Sequence, residues 1–332
     1  TVDGEVWEAR FGYVVDRKPS DQHGVMYDSL VNTVRAAIPD NVTFLRGKAT
    51  AVATGDDRQT VTLSTGETVS ARLVVLANGL SIGLRHMLGI ARRVTSPCHS
   101  ITLGFDIAPR DRAQFDFPAL TYWPERTSDR MAYLTLFPIG GAMRANLMVY
   151  REMDDGWLRQ IRQAPEATLH ALMPNLRRMV GEFDVVGPLK IRPADLYVTE
   201  GHRQAGVVVI GDAFATSCPA AGTGTDKVFT DVGRLCRAHI PAWLASDGMG
   251  ADKIATFYDD PEKIACDAWS TAKAHHLKSL TLDDGIYWRA QRGARFWLRL
   301  IQGTWRRLST RSGGDIPRKS QTTPTHRTDR AA

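Results

Sequence analysis

The segment Val207 to Asp226, VVVIGDAFATSCPAAGTGTD, carries the residue types and spacing most able to do chemistry. A continuously apolar run ends in Gly211-Asp212-Ala213, so Asp212 falls at the end of a strand expected to be buried on both faces. An acid at that point projects from the carboxyl edge of a sheet, where open α/β folds bind ligands, and can accept a hydrogen bond from a sugar or polyol hydroxyl. Gly222 and Gly224 have no side chains, so a phosphate or a ring edge can approach the backbone. The helix that follows presents free N–H groups and a positive dipole end, which favours an anion. Val228, Phe229, Val232, Leu235 and Cys236 supply its helical spacing.

A second segment, Ala71 to Arg85, reads ARLVVLANGLSIGLR. Its short apolar run, Leu73 to Leu76, is expected to form another strand buried on both faces, ending in the turn signal Asn78-Gly79.

The first string resembles the GD motif of FAD-dependent monooxygenases of the para-hydroxybenzoate hydroxylase type: GDAxH, a Pro, GxGxN and a later Asp. Gly211, Asp212, Ala213, Pro219, Gly222, Gly224 and Asp231 fall in register over about 20 positions. Ala215 stands where the family has His, and Asp226 where it has Asn. An Asp at a helix start makes a good N-cap, yet its charge would oppose stabilisation of a reduced flavin by the helix dipole. The second string resembles the family's DG motif: Gly79 and Arg85 fit, while Asn78 replaces Asp and Ile82 replaces Ser.

The resemblance implies that Asp212, Gly211, Ala213, Pro219, Gly222, Gly224, Asp226, Asn78, Gly79 and Arg85 bind FAD. It further implies that NAD(P)H reduces the flavin and that a C4a-hydroperoxyflavin hydroxylates an aromatic or isoprenoid-type molecule. No catalytic side chain is named by it. Alternatives are a flavin-dependent reductase of isoprenoid double bonds and a non-catalytic remnant that binds no FAD. The halogenase tryptophan signature is absent. So is the βαβ unit with GxGxxG that normally opens the family's chains. The sequence is therefore expected to lack roughly the first 80 residues of a full-length relative, and to bind FAD weakly or not at all.

The elements that must position these residues make an α/β chain: an incomplete Rossmann-like FAD-binding domain, an inserted mixed β-sheet substrate domain, and a C-terminal helical region. The expected boundaries are 1–97 for the partial FAD-binding domain, 98–200 for the sheet, 201–250 for the GD strand and helix, 251–311 for C-terminal helices, and 312–332 for a disordered tail. DSLVNTVRAAI at 28–38 has the spacing of an amphipathic helix, and residues 41–76 alternate strands with turns. Helices are expected around 154–163 and 165–180. Tyr122, Trp123, Tyr133 and Phe137 are candidate substrate-pocket lining, with plain sheet core as the competing reading.

The composition, 43% apolar with 42 basic and 36 acidic side chains, excludes a disordered or fibrous chain. Cys98, Cys218, Cys236 and Cys266 form no zinc spacing, and His275 and His276 are adjacent, so no metal site is expected. The net charge of +6 divides unevenly, because residues 285–332 hold eleven basic and two acidic side chains. The remainder is slightly acidic, which argues against nucleic acid as a partner of the fold. In the segment 286–308 Trp297, Leu300, Ile301, Trp305 and Leu308 form one stripe, and Arg292, Arg295, Arg299 and Arg306 another. It is expected to pack its apolar stripe on the core with arginines in solvent, or to lie on an anionic membrane, or to meet nucleic acid. The expected location is the cytoplasm, with peripheral membrane contact through this helix as the variant reading. No run reaches membrane-spanning length.

Overall fold

The computed structural model describes residues 5–10, 13–17, 24–117, 119–124, 126–139 and 141–311; the expected tail at 312–332 lies outside the described residues. The chain opens with β1 (Glu5–Arg10) and β2 (Tyr13–Arg17), then α1 (Tyr27–Ala36). A small antiparallel sheet of β3 (Ala49–Ala53), β4 (Gln59–Leu63) and β5 (Thr68–Ala71) leads into β6 (Val74–Leu76) and the short helix α2 (Gly83–Met87).

Next come β7 (Ala91–Pro109), β8 (Leu120–Tyr122), β9 (Met131–Ile139) and β10 (Ala142–Val149). Three helices follow, α3 (Gly156–Gln163), α4 (Pro165–Leu172) and α5 (Leu176–Val180), then β11 (Phe183–Glu200) and β12 (Val207–Val209). The C-terminal part is helical: α6 (Gly224–Arg234), a π turn at Leu235–His239, α7 (Ile240–Leu244), α8 (Ala251–Tyr258), α9 (Pro261–Leu282) and α10 (Ile286–Arg311).

The large sheet has the order β1-β2-β8-β9-β10-β7-β11 and takes its first two strands from the start of the chain. Alternation along β10 buries Met143, Ala145, Leu147 and Val149. With Ile101, Leu103 and Leu134 they meet Leu158, Ile161, Leu169 and Leu176 of α3–α5 in the main core. The ribbon of β7 and β11 is bent by register shifts at Val186/Lys190 and Ala194/Leu196, and its far end runs from the sheet to the β12 region. There the Thr199 N–H bonds the Phe214 carbonyl, and the Thr216 N–H bonds that of Tyr197.

β6 and β12 form a parallel pair, Val74 facing Val207 and Leu76 facing Val209. The expectation of full burial holds for Val207–Val209 and fails for Val75, which is 39% exposed. α6 is likewise turned round: its buried residues are Lys227 and Asp231, while Phe229 is 72% exposed. Among the residues described for α1, none is buried.

α9 begins with an Asp-Pro start. Asp260 caps it by accepting from the Glu262 and Lys263 N–H groups, and Pro261 at the first helical position gives up only an N–H that has no helical partner. Arg234 and His239 bond the same carboxylate, which ties this start to α6. Burial alone would raise the Asp260 pKa, but these donors hold it down to about 2.

α10 corrects the expected packing. Arg292 donates to the Leu280 and Asp283 carbonyls at the end of α9, Arg295 bonds His276, and Arg299 stacks over Trp123 at 3.9 Å. Arg292 and Arg299 therefore face protein while Arg295 stays exposed, and the carbonyl end of α9 attracts Arg292 as it does any cation. Trp297, Ile301 and Trp305 are exposed. Among the described residues no helix is long and apolar enough to cross a membrane.

Candidate functional site

The parallel pairing of β6 and β12 brings together two segments more than a hundred residues apart in sequence. Both leave the same carboxyl end of the pair, β6 into Asn78-Gly79 and β12 into Gly211-Asp212. A network of protein contacts locks the two exits to each other. Arg85, 2% exposed, donates to the Ala213 carbonyl at 2.6 Å, to the Tyr197 hydroxyl at 3.0 Å and to the Leu80 carbonyl at 3.3 Å. Tyr197, from the end of β11, donates its hydroxyl to the Asp212 carbonyl at 2.6 Å. Arg85 thus spends these donors on the fold, holding the turns in register.

Beneath the Gly211 turn lies a set of four charges, three of them buried and the fourth, Asp267, partly exposed. The Gly211 N–H bonds Asp231 Oδ2 at 2.8 Å, and Lys263 Nζ lies 2.8 Å from Asp231 Oδ1. Lys263 also reaches Asp267 at 3.1 Å and stands 4.2 Å over the Phe214 ring. Lys227 pairs with Asp267 at 3.1 Å and donates to the Ala215 carbonyl at 3.0 Å. Two lysines and two aspartates balance in charge, as burial requires. Ala215, where the family has His, packs under the turn in the apolar cluster with Phe214 and Val209.

The other expected residues lie on the turns that surround this frame. Asp212 is exposed as a residue, but protein atoms partly cover its carboxyl, and that loss of hydration raises its pKa against Lys227 and the Ser217 N–H. Asn78 donates to the Ser81 carbonyl, while its Oδ1 is buried with no partner. Gly79 and Gly222 adopt φ of +58° and +66°, and nothing lies within 4 Å of where a Cβ would stand on either. Pro219 is exposed, and Gly224 starts α6 packed close to Ser217 Oγ.

Asp226 does not cap α6, which removes the plain structural alternative to its expected place at the cofactor. It lies within the first turn and is exposed, and the capping position belongs to Thr223. The Thr223 and Ser270 hydroxyls bond each other at 2.6 Å instead, so no side chain caps the helix.

A cavity of about 430 Å³ adjoins this turn. It is lined by Thr121, Tyr133 and Thr135 of the sheet with Trp123 just after β8, by Ala220-Ala221, by Lys273, His276 and Leu277 of α9, and by Arg295 and Arg299 of α10. Of the expected lining, Trp123 and Tyr133 are present. Tyr122 is corrected: strand alternation sends it to the opposite face, fully buried in the main core. Phe137 shares the Tyr133 face but lies beyond the lining, near Gly24. Tyr133 donates to the Ala220 carbonyl at 2.7 Å, and burial pushes its pKa up to about 12, so it serves as a fixed donor. Among the described residues no group of three His, Cys, Asp or Glu could hold a metal.

Sequence reasoning missed Tyr197, Lys227, Lys263, Asp267 and the cations that line the cavity. The Lys263–Asp267 spacing of i, i+4 was a local signal of pairing. The partners from α6 and the sheet had none.

Comparison with curated proteins found no match. Solved structures are similar in fold. The p-nitrophenol 4-monooxygenase PnpA from Pseudomonas putida DLL-E4 superposes with a TM-score of 0.58 at 14% identity, covering 81% of this chain and 66% of that one. The anhydrotetracycline hydroxylase OxyS from Streptomyces rimosus gives 0.52 at 20% identity, covering 80% and 51%. The flavin-dependent brominase Bmp2 gives 0.58 at 14% identity, covering 86% and 74%. The chain thus spans about two thirds of the first and half of the second. Residues 34–242 match the FAD binding domain family. Both motif strands and the turns they carry lie inside that match, and the chain belongs to this family.

Proposed function

We propose that the mouth between the Asn78 and Asp212 turns holds FAD and that the protein is an NAD(P)H- and O2-dependent flavin monooxygenase acting on an aromatic small molecule. The observation that carries this reading is the buried, unpartnered Asn78 Oδ1 in the turn that leaves the same end of the β6–β12 pair as Asp212, together with two glycine positions, Gly79 and Gly222, that leave open space. A buried acceptor without a donor is costly unless a ligand supplies one. The uncapped start of α6 adds free N–H groups for an anionic edge or a phosphate. These features fit a flavin nucleotide; Asp226 in the first turn opposes negative charge there and departs from the family pattern.

FAD, when bound, supplies electron transfer from NAD(P)H to oxygen and oxygen insertion into the substrate. The chain's own residues do the positioning. Asp212 accepts a hydroxyl hydrogen bond, Asn78 Oδ1 accepts an N–H or O–H, and the α6 N–H groups stabilise negative charge. The frame of Arg85, Tyr197, Asp231 and Lys263 keeps both turns at fixed spacing. The cavity beside Ala220-Ala221 receives the substrate. The test is NADH or NADPH oxidation with added FAD, with and without phenolic substrates, tracing product oxygen from labelled O2. Labelled product supports the reading; substrate turnover without label sinks hydroxylation.

A further inference from the structure

α10 presents the wrong face to water. At 3.6 residues per turn Ile286, Tyr287, Trp297, Leu298, Ile301 and Trp305 fall within a sector of about 120°. All six side chains are exposed, from 54% for Trp297 to 80% for Ile286. The stripe runs about 29 Å along the helix, at ~1.5 Å per residue. The opposite face does the docking: Trp288 meets the His276 ring, Arg292 donates to the Leu280 and Asp283 carbonyls, and Arg299 stacks over Trp123. A helix that holds to its protein by polar groups and turns a continuous apolar stripe outward has a second, apolar environment on that side.

Charge says what that environment is. The α10 sequence holds seven arginines and no acidic residue. Arg289 and Arg295, both exposed, stand about 60° beyond the two edges of the stripe, where a guanidinium reaches anions while its stem follows the apolar edge. Arg295 gives one of its five N–H donors to His276 and keeps the others for this. After the helix, Arg318, Lys319, Arg327 and Arg330 stand against only Asp315 and Asp329. A second copy of the chain does not fit, since an isologous pair brings α10 against α10 and its arginines against their like. We infer that α10 lies in the surface of an anionic lipid bilayer, its apolar stripe sunk into the boundary between headgroups and acyl chains and its flanking arginines on the phosphates. Tryptophan suits that depth, with an apolar body and one N–H donor. The chain then rests on the membrane without crossing it, in keeping with the short reach of its described apolar helices. This contact takes no part in the proposed reaction and stands or falls separately from it.

The test mixes the full chain with vesicles of phosphatidylcholine alone and of phosphatidylcholine with about one third phosphatidylglycerol, and reads the bound fraction by flotation. The anionic vesicles are expected to bind at least about tenfold more tightly, and added salt to weaken that binding. Indole fluorescence should be quenched when the acyl chains carry bromine near the headgroups, which requires tryptophan below the phosphates. Ile301→Gln combined with Trp305→Gln should weaken binding about tenfold or more at an unchanged unfolding midpoint, and Arg289→Gln about fivefold. The basic residues after Arg311 offer charge without a stripe, so binding to anionic vesicles without bromine quenching, or binding that the double variant retains, overturns the inference. No binding to either vesicle overturns it too, as does a concentration-dependent dimer that Ile301→Gln dissolves and vesicles do not compete with. If the double variant fails to fold, bromine quenching of the unaltered chain decides.

Discussion

Arg85 and Ala213 belong to different motifs, yet the Arg85 guanidinium reaches the Ala213 carbonyl at 2.6 Å inside the protein. This bond, doubled through Tyr197 to the Asp212 carbonyl, makes two turns one unit. Arg85→Ala leaves the Ala213 and Leu80 carbonyls short of a donor. It should cost about 3 kcal/mol in urea unfolding. Arg85→Lys, with a single point of donation, should recover less than half of that. A loss below about 0.5 kcal/mol would contradict the bracing role.

The four paired charges beneath Gly211 make a second prediction. Lys263→Met strands Asp231 and should destabilise by about 3–5 kcal/mol. Asp231→Asn still offers the Gly211 N–H an acceptor and leaves Lys263 its Asp267 partner, so its loss should be smaller. Adding Asp231→Leu to Lys263→Met should return part of the stability, since an apolar pair needs no desolvation. Additive losses in the double variant, measured by the same unfolding curves, would count against a coupled pair.

Gly222 separates strain from binding. A side chain at φ +66° costs about 1–2 kcal/mol, although nothing nearby obstructs a methyl group. Gly222→Ala should therefore unfold slightly earlier, while FAD binding falls at least about tenfold because the methyl projects into the mouth. Unchanged FAD affinity would place the cofactor elsewhere.

Acid should weaken the fold in two windows. Burial, aided by Lys278, pushes the His99 pKa down to about 4 from 6.5. The unfolded chain takes up this proton first, so stability falls from pH 6.5 toward 4, by about 3 kcal/mol. Asp260, held at about 2 against a usual 3.8, contributes stability present above 3.8 and lost as pH falls through 2, about 2 kcal/mol. His99→Gln should remove the His99 share of the first window, leaving what His170 and His202, also lowered by burial, contribute, and should leave the second unchanged. Unfolding free energy against pH for both chains reads this directly.

What was legible in the sequence followed from local pattern. The run Val207–Val209 with Gly211-Asp212, and Asn78-Gly79 after β6, could be read because strand ends and turns are short-range features. Val75 could not: apolar runs look alike whether one face or both are covered, and only the assembled layers tell. Arg292 and Lys263 escaped for the same reason. An arginine stripe reads as solvated until the carbonyl end of α9 is placed beside it, and Asp231 meets Lys263 only where α6 crosses α9. Tyr122 and Trp123, adjacent in sequence, were grouped together, and strand alternation separates them.

The central claim is that the Asn78 and Asp212 turns form one flavin-facing mouth. It is tested most directly by titrating FAD into the full chain and mapping by saturation-transfer NMR which FAD protons lie against protein, for the unaltered chain and for Asp212→Ala. The chain contains no GxGxxG, so the expected result is weak but saturable binding, with stronger transfer to isoalloxazine and ribityl protons than to adenine protons. Asp212→Ala should lower the affinity at least about tenfold at an unchanged unfolding midpoint. Absence of saturable binding, or an Asp212→Ala chain that binds FAD as well as the original, would contradict the account.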